Sequence, residues 1–295
     1  MSDWGKGVIN NIGWGQGANN DIGWGNVYDK SNAGQTLLSG SGFEGILNQF
    51  PGASLGLSLE LLDKDYSGFC IKVRRSSDNA EKNIGFVNNE LDTASLLDFV
   101  GSGNGFVSII YDQVGGNNMT NTTANLQGQI VSNGSVILKN GKPCIIRSLN
   151  NDGSYISTYA PNDGATVKGM FFVGDNEGKK SAMYGSLGDN DRGIMCEDRN
   201  TSTNVDSAQI VSNNKINGIA TSFVDRNDSL NKLNKHFILS REIDFYFVGN
   251  QLGIGFKFDR PDGFGMMTFQ ELVIFENTDD AVAKEDNINA RYNIY

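Results

Sequence analysis

Asp63, Asp65, Ser67 and Gly68 stand in DKDYSG (63–68) at the spacing that opens a calcium loop. Such a loop needs carboxylates at its first and third positions, an oxygen at the fifth and glycine at the sixth. Its twelfth position should supply a bidentate acid, but Arg74 stands there, and a cation cannot ligate calcium. The stretch therefore reads as a turn into a strand over 69–75. DNEG (175–178) and GDNDRG (188–193) are acidic loops with oxygens suited to a hard cation. Composition without ligand geometry reads first as solvated turns, so no metal is assigned. Cys70, Cys144 and Cys196 lack metal-ligand spacing, and His236 is the single histidine, which leaves zinc few donors. The cysteines read as free thiols of a protein made in a reducing compartment. His236, in NKHFILS at a strand start, has no nucleophile motif beside it and reads as structural. GSGNGF (101–106) has the glycines of a nucleotide loop but leads from a helix into a strand, the reverse of the required context. No cofactor is expected.

A different kind of chemistry is written in Trp4, Trp14 and Trp24, all the tryptophans of the chain, spaced ten residues apart. Each opens a copy of one unit: WGKGVINNIG, WGQGANNDIG and a truncated WGN. An indole ring carries about 150–250 Å² of surface that prefers burial. The surrounding glycines and asparagines favour turns and offer little to build a core with. The rings are therefore expected to bury against something outside the segment. Either a partner subunit receives them, or the arm folds back and caps its own domain.

The elements that position these residues read as short strands. Hydrophobic residues at 38% are enough for a core, and 37 glycines against 4 prolines suit strands joined by tight turns. FCIKVRR (69–75) sets Cys70 and Lys72 against Ile71 and Val73, the period-2 pattern of a half-buried strand. Similar runs lie at 105–113, 135–148, 169–174, 181–187, 208–213, 245–258 and 269–275. NG at 140–141 and GN at 249–250 sit between strand runs as hairpin turns would. Helices are expected over 91–101, with Leu96, Leu97 and Val100 on one side, and in the tail from Thr278. There Thr278 would cap a first turn holding Asp279 and Asp280. The pattern predicts an all-β protein: a two-sheet antiparallel sandwich over 43–295, preceded by an attachment arm over 1–42. The net charge of −10, with no basic cluster beyond KVRR at 72–75, argues against a nucleic-acid partner. No apolar run reaches the roughly 18–20 residues of a membrane span, and the polar N-terminus does not read as a signal peptide.

The blocks YSG, VRRSSDN, a short helix ending in Phe99 and IYDQ before a Gly/Asn turn fall together over 66–119. They resemble the opening of the α-L-arabinofuranosidase B catalytic-domain family, a concanavalin A-like jelly-roll sandwich. FQELVIF (269–275) and NINARYNIY (287–295) resemble the last strand and closing tail of related sandwiches. The resemblance covers roughly 66–150 and 240–295. It implies a jelly roll and, where members are enzymes, retaining hydrolysis by two carboxylates about 5–5.5 Å apart. By that resemblance the acid/base falls at Asp259 or Asp262, before the FQE strand. Glu177, Glu197 and Asp198 are nucleophile candidates by position alone, so no catalytic residue is assigned.

The repeated WGxG openings ahead of this sandwich resemble virion proteins of tailed phages, of the head-fibre or tail-fibre type. That implies a structural subunit assembled in a host cytoplasm and built as a homo-oligomer, a trimer first. Trp4, Trp14 and Trp24 would hold it to other virion proteins, and a lectin-like domain would face a host-surface glycan. The alternative functions are an arabinofuranosidase-type glycoside hydrolase and a free carbohydrate-binding module.

Overall fold

The computed structural model describes residues 44–146, 166–178, 181–182, 184–186, 195–196, 211–246, 252–254 and 265–295. Residues 1–43, with the three tryptophans, lie outside them. The first described elements are α1 (Ile46–Gln49), β1 (Ala53–Ser58), β2 (Ile71–Arg75), β3 (Glu81–Ile84), β4 (Phe86–Val87), β5 (Glu90–Leu91) and α2 (Thr93–Val100). There follow β6 (Gly105–Ile110), β7 (Met119–Thr120), β8 (Gly128–Ser132), β9 (Ser135–Val136), β10 (Leu138–Lys139) and β11 (Lys142–Pro143). Next come β12 (Thr166–Asp175), β13 (Ser181–Ala182), β14 (Tyr184–Ser186), β15 (Met195–Cys196), β16 (Val211–Ile216) and β17 (Ile219–Thr221). The chain closes with α3 (Arg226–Lys232), β18 (Phe237–Tyr246), β19 (Leu252–Ile254), β20 (Gly265–Met266), β21 (Thr268–Phe275) and α4 (Ala281–Tyr292).

Two antiparallel sheets carry the fold, in the orders β1-β21-β12-β18-β16-β17 and β3-β2-β6-β8-β9, with β7 also paired to β6. The all-β sandwich read from the sequence is the architecture. Ile71 and Val73 of β2 and Val107 and Ile110 of β6 meet Met170, Phe172, Leu239, Leu272 and Ile274 from the other sheet in one core. Alternate residues of those same central strands, Phe171, Val173, Ile238, Val273 and Phe275, point the other way. They form a second core with Ile46 of α1 and Ile288 and Tyr292 of α4. Strands buried on both faces need apolar residues at successive positions, which is why GMFFVG and FQELVIF read as continuous runs rather than alternations. Each such side chain contributes about 1.5–3 kcal/mol on burial. The layers are therefore sheet, sheet and helices.

Local chemistry fixes the connections. Asn140 (φ 50°) and Gly141 (φ 76°) join β10 to β11 as expected, since a two-residue hairpin of this hand needs positive φ at both central residues. The same Asn-Gly chemistry closes two further hairpins, β8–β9 at 133–134 and β16–β17 at 217–218. Among the described residues, the strands on either side of the turn expected at 249–250 pair with other partners. β19 pairs with β14 instead, and β18 lies between β12 and β16. The turn at 249–250 itself lies outside the described residues. Over 91–101 the helix forms as Thr93–Val100, with the Asp92 carboxylate accepting the Ser95 N–H at 2.9 Å. The C-terminal helix starts later than expected. Its cap is Asp280, in the left-handed region at φ 54°, so Thr278 is not the cap and no acid stands in the first turn. Lys284 explains the delay: its ammonium bonds the Asn277 side chain at 2.9 Å and the Asp279 carbonyl at 2.6 Å, holding 277–279 as a loop.

Candidate functional site

The motifs that carried the family resemblance turn inward. Arg75 forms a two-bond pair with Asp78 at 2.8 and 2.7 Å and lies over the Phe99 ring at 5.0 Å. Arg74 donates to Gln127, Asn79 and the Ala124 carbonyl and lies over Phe106 at 4.8 Å. The basic cluster is thus occupied by its own VRRSSDN loop and the segment beside it. Asp112 of IYDQ, 3% exposed, accepts backbone N–H groups from Gly56, Val114, Gly115 and Asn117 at 2.8–3.2 Å. Gln113 accepts the Leu62 N–H at 2.8 Å and donates to the Glu60 carbonyl at 2.8 Å. These carboxylate and amide groups splice β6 to β1 and have no oxygen left over for a substrate. DKDYSG is the expected turn: Asp63 accepts the Asn48 side chain at 2.7 Å and the Asp65 N–H at 2.9 Å.

A polar group sits at the end of β12. Asp175 is 2% exposed and pairs with the Lys139 ammonium at 2.5 Å across the β10–β11 hairpin. Its other oxygen accepts the N–H of Glu177 at 2.5 Å, which sets Glu177 in an exposed left-handed turn at φ 55°. Asn176, buried, donates to the Leu230 carbonyl and so ties this turn to α3. On the neighbouring strands His236 Nε2 meets Gln270 Oε1 at 2.5 Å, and Gln270 donates to the Lys139 and Pro143 carbonyls. Burial holds the His236 imidazole below its ordinary pKa, against the Gln270 bond that raises it. The histidine therefore serves as a neutral clamp between β18 and β21. Cys144 lies nearby, its thiol pushed up to about 12 by burial and by the Glu177 carboxylate. All three cysteines are buried and outside any disulfide, the setting of structural thiols rather than of exposed nucleophiles.

Beyond this group a small sheet of order β15-β13-β20 begins. Cys196, the last residue of β15, pairs with Ser181 in antiparallel register, and Gly265, the first of β20, pairs with the same Ser181 in parallel register. The chain thus leaves β15 and enters β20 at one end of this sheet. Two strand spacings of about 4.8 Å separate those points, or about 10 Å. Glu197 and Asp198 follow β15 in sequence, and Asp259 and Asp262 precede β20. All four lie outside the described residues, as do Trp4, Trp14 and Trp24.

Two further charged groups are structural. Glu271 of β21 is fully buried and takes both guanidinium arms of Arg291 at 2.5 and 2.7 Å, the Ser58 hydroxyl at 2.8 Å and the Tyr292 hydroxyl at 3.2 Å. A small cavity of about 20 Å³ lies on the helix-covered side of the sandwich, lined by Phe171, Lys215, Ser240, Asp279 and Lys284. Lys284 is spent there on its loop bonds and on the Phe275 ring at 4.0 Å, so the cavity is a packing gap beside α4. No group of three or more His, Cys, Asp or Glu with metal-binding geometry occurs among the described residues.

No protein-family model matches this chain, and no curated protein matches it. Solved structures do. A GH54 α-L-arabinofuranosidase soaked with a cyclic sulfate inhibitor superposes with TM-score 0.54 at 14% identity, over 83% of this chain and 64% of that one. A glutamate-to-glutamine mutant of a GH54 α-L-arabinofuranosidase, soaked with 4-nitrophenyl α-L-arabinofuranoside, gives the same values. An arabinofuranosidase complexed with arabinofuranosyl-α-1,2-xylobiose gives TM-score 0.51 at 15% identity and the same coverage. The chain spans 64% of the length of these structures, and at such identity the likeness is one of fold.

Proposed function

We propose that the chain is a virion structural subunit of the head- or tail-fibre type, anchored by residues 1–42 and displaying a carbohydrate-directed sandwich toward a host-surface glycan. The observation that carries this reading is the division of labour along the chain. In the sequence, the three tryptophans stand in a repeated Gly/Asn unit with little else apolar beside them, ahead of the residues from Ile46 onward that build both described cores. A repeated unit calls for a repeated contact, and the partners that fit are neighbouring virion proteins and copies of this chain in a trimer. Buried aromatic anchors commonly cost about 2 kcal/mol or more when truncated to alanine. Replacing Trp4, Trp14 and Trp24 together by alanine should leave the circular dichroism of the soluble protein unchanged and abolish its incorporation into purified particles. Normal incorporation of the triple variant refutes the anchor.

The second reading is a retaining glycoside hydrolase of the arabinofuranosidase type, favoured by the register of the small sheet. Ser181 pairs with both Cys196 and Gly265, so the segments bearing Glu197 and Asp262 join the fold at neighbouring points. Two carboxylates from such segments have the reach for the separation of about 5–5.5 Å that retention requires. Release of 4-nitrophenol from 4-nitrophenyl α-L-arabinofuranoside, lost in Glu197→Gln and in Asp259→Asn or Asp262→Asn, would establish the enzyme over the binding protein.

A further inference from the structure

Phe69 is the most exposed phenylalanine among the described residues, 47% accessible and held in place by its neighbours. Tyr66 folds back across Gly68 so closely that a Cβ on that glycine would meet the Tyr66 hydroxyl well inside contact distance. That hydroxyl donates to the Phe69 carbonyl at 2.9 Å. On the other side Cys70, fully buried, accepts the Tyr111 N–H through its carbonyl at 3.0 Å, which brings the two rings together. Phe69 and Tyr111 lie 6.0 Å apart between centroids, tilted by 51°, and the Tyr66 ring meets Phe86 edge-on at 6.3 Å. Phe86, Tyr66, Phe69 and Tyr111 thus form a strip of two ring pairs, Phe86 with Tyr66 and Phe69 with Tyr111, joined through the Tyr66 hydroxyl's bond to the Phe69 carbonyl.

The polar neighbours of this strip are set by the strand alternation. Because Ile71 and Ile84 point into the core, Lys72 and its partner Asn83 face outward. Asn83 accepts the Tyr111 hydroxyl at 2.8 Å, and Lys72 pairs with Glu81 at 3.1 Å. The rim is therefore an amide and an internally neutralised ion pair, with no net charge to offer a phosphate or an acidic peptide. We propose that this strip is a binding subsite for a neutral saccharide, stacked on the Phe69 ring and hydrogen-bonded by the Asn83 amide. A sugar ring presents a C–H face to an aromatic plane and hydroxyls at its edge, which is the pattern found here. A protein partner fits less well. Stable interfaces bury about 800 Å² per partner, several times what the exposed parts of these rings provide. With its backbone fixed by the Tyr66 hydroxyl bond and its ring resting on Tyr111, Phe69 has less freedom to lose on binding, so it is preorganised for a small ligand. Phe69 lies just before β2 and Tyr111 just after β6, its antiparallel partner, so the strip sits at one end of that strand pair.

This inference rests on the carbohydrate-directed reading of the sandwich, and its test separates the two. Full-length protein is run by native electrophoresis in gels containing soluble arabinoxylan, arabinan or galactomannan, one at a time. The wild-type chain should be retarded by at least one polysaccharide. Phe69→Ala should weaken that retardation at least about tenfold in the polysaccharide concentration needed, as expected for a central aromatic anchor. Phe69→Trp should keep or strengthen it, and both variants should melt with the wild type because the ring is exposed. Retardation of the wild type undiminished in Phe69→Ala overturns the strip and leaves the carbohydrate reading standing. A wild type retarded by none of the three overturns the strip together with that reading. An altered sedimentation coefficient in Phe69→Ala, with retardation unchanged, assigns the ring to a protein contact and likewise overturns the proposal.

Discussion

Replacing Arg291 by methionine should strip the sandwich of more stability than any surface ion pair could account for. Glu271 has no exposed surface and sits mid-strand in β21, the strand that takes part in both cores. Its two oxygens receive Nη1 and Nη2 of Arg291 at 2.5 and 2.7 Å, and the arginine side chain is itself only 10% exposed. Burial alone would lower the arginine pKa, but the Glu271 carboxylate more than offsets it and holds the guanidinium above its ordinary value. A methionine side chain at this position is apolar and of similar reach, so the packing of α4 on the sheet survives while the carboxylate loses its counter-charge. Ser58 and Tyr292 would still donate to it, at 2.8 and 3.2 Å, but neither carries charge. Breaking one side of a buried pair costs about 3–5 kcal/mol. At about 2–4 °C per kcal/mol for a domain of this size, the midpoint should fall by roughly 6–20 °C. Differential scanning calorimetry and urea titration read the loss. Adding Glu271→Gln to Arg291→Met should recover part of it, since the double variant no longer buries a lone charge. A single variant within about 1 kcal/mol of wild type would mean the pair behaves as an exposed one, and the account of α4 as a buried clamp would fail.

Gly45→Ala should be severe and Gly85→Ala nearly neutral in the same urea assay. A Cβ on Gly45 meets the Leu62 carbonyl oxygen at 1.9 Å, a backbone contact that cannot rotate away, whereas Gly85 has open space around it; overpacking of the first kind costs about 1–3 kcal/mol. His236 should make stability depend on pH in a defined direction. Its folded pKa is lowered by burial, so between that value and the ordinary 6.5 the unfolded chain binds the extra proton, and stability falls as pH drops through this window. His236→Gln should flatten the difference in urea midpoint between about pH 7 and about pH 5.5 relative to wild type. An unchanged slope would refute the neutral-clamp role, because this is the chain's single histidine.

What the sequence discloses follows from how local each signal is. The NG step at 140–141 specifies its own φ angles, and Asp92 caps its own helix, so both are readable from a few residues. The GN step at 249–250 has the same local chemistry, yet the strand after it, β19, pairs with β14, roughly 70 residues earlier in the chain. Nothing within a short window encodes that choice of partner. Thr278 is not the cap for a related reason: Lys284, further along the chain, competes for the loop that the helix would have used. The family resemblance shows the same division. VRRSSDN and IYDQ are recognisable because Arg74, Arg75, Asp78 and Asp112 spend their hydrogen bonds on one another and on nearby groups of the fold. Groups satisfied inside the fold report architecture and are silent about ligands. A functional residue shows the opposite signature, a side chain that the fold braces but leaves facing outward. Phe69 has it: Tyr66 and Gly68 fix its backbone, Tyr111 supports one side of the ring, and nearly half of the residue's surface remains open. No spacing rule marks that residue in FCIKVRR, where it reads only as the first position of a strand. Exposure and bracing exist only once β2 and β6 are paired, so a site of this kind is legible in the fold and not before it.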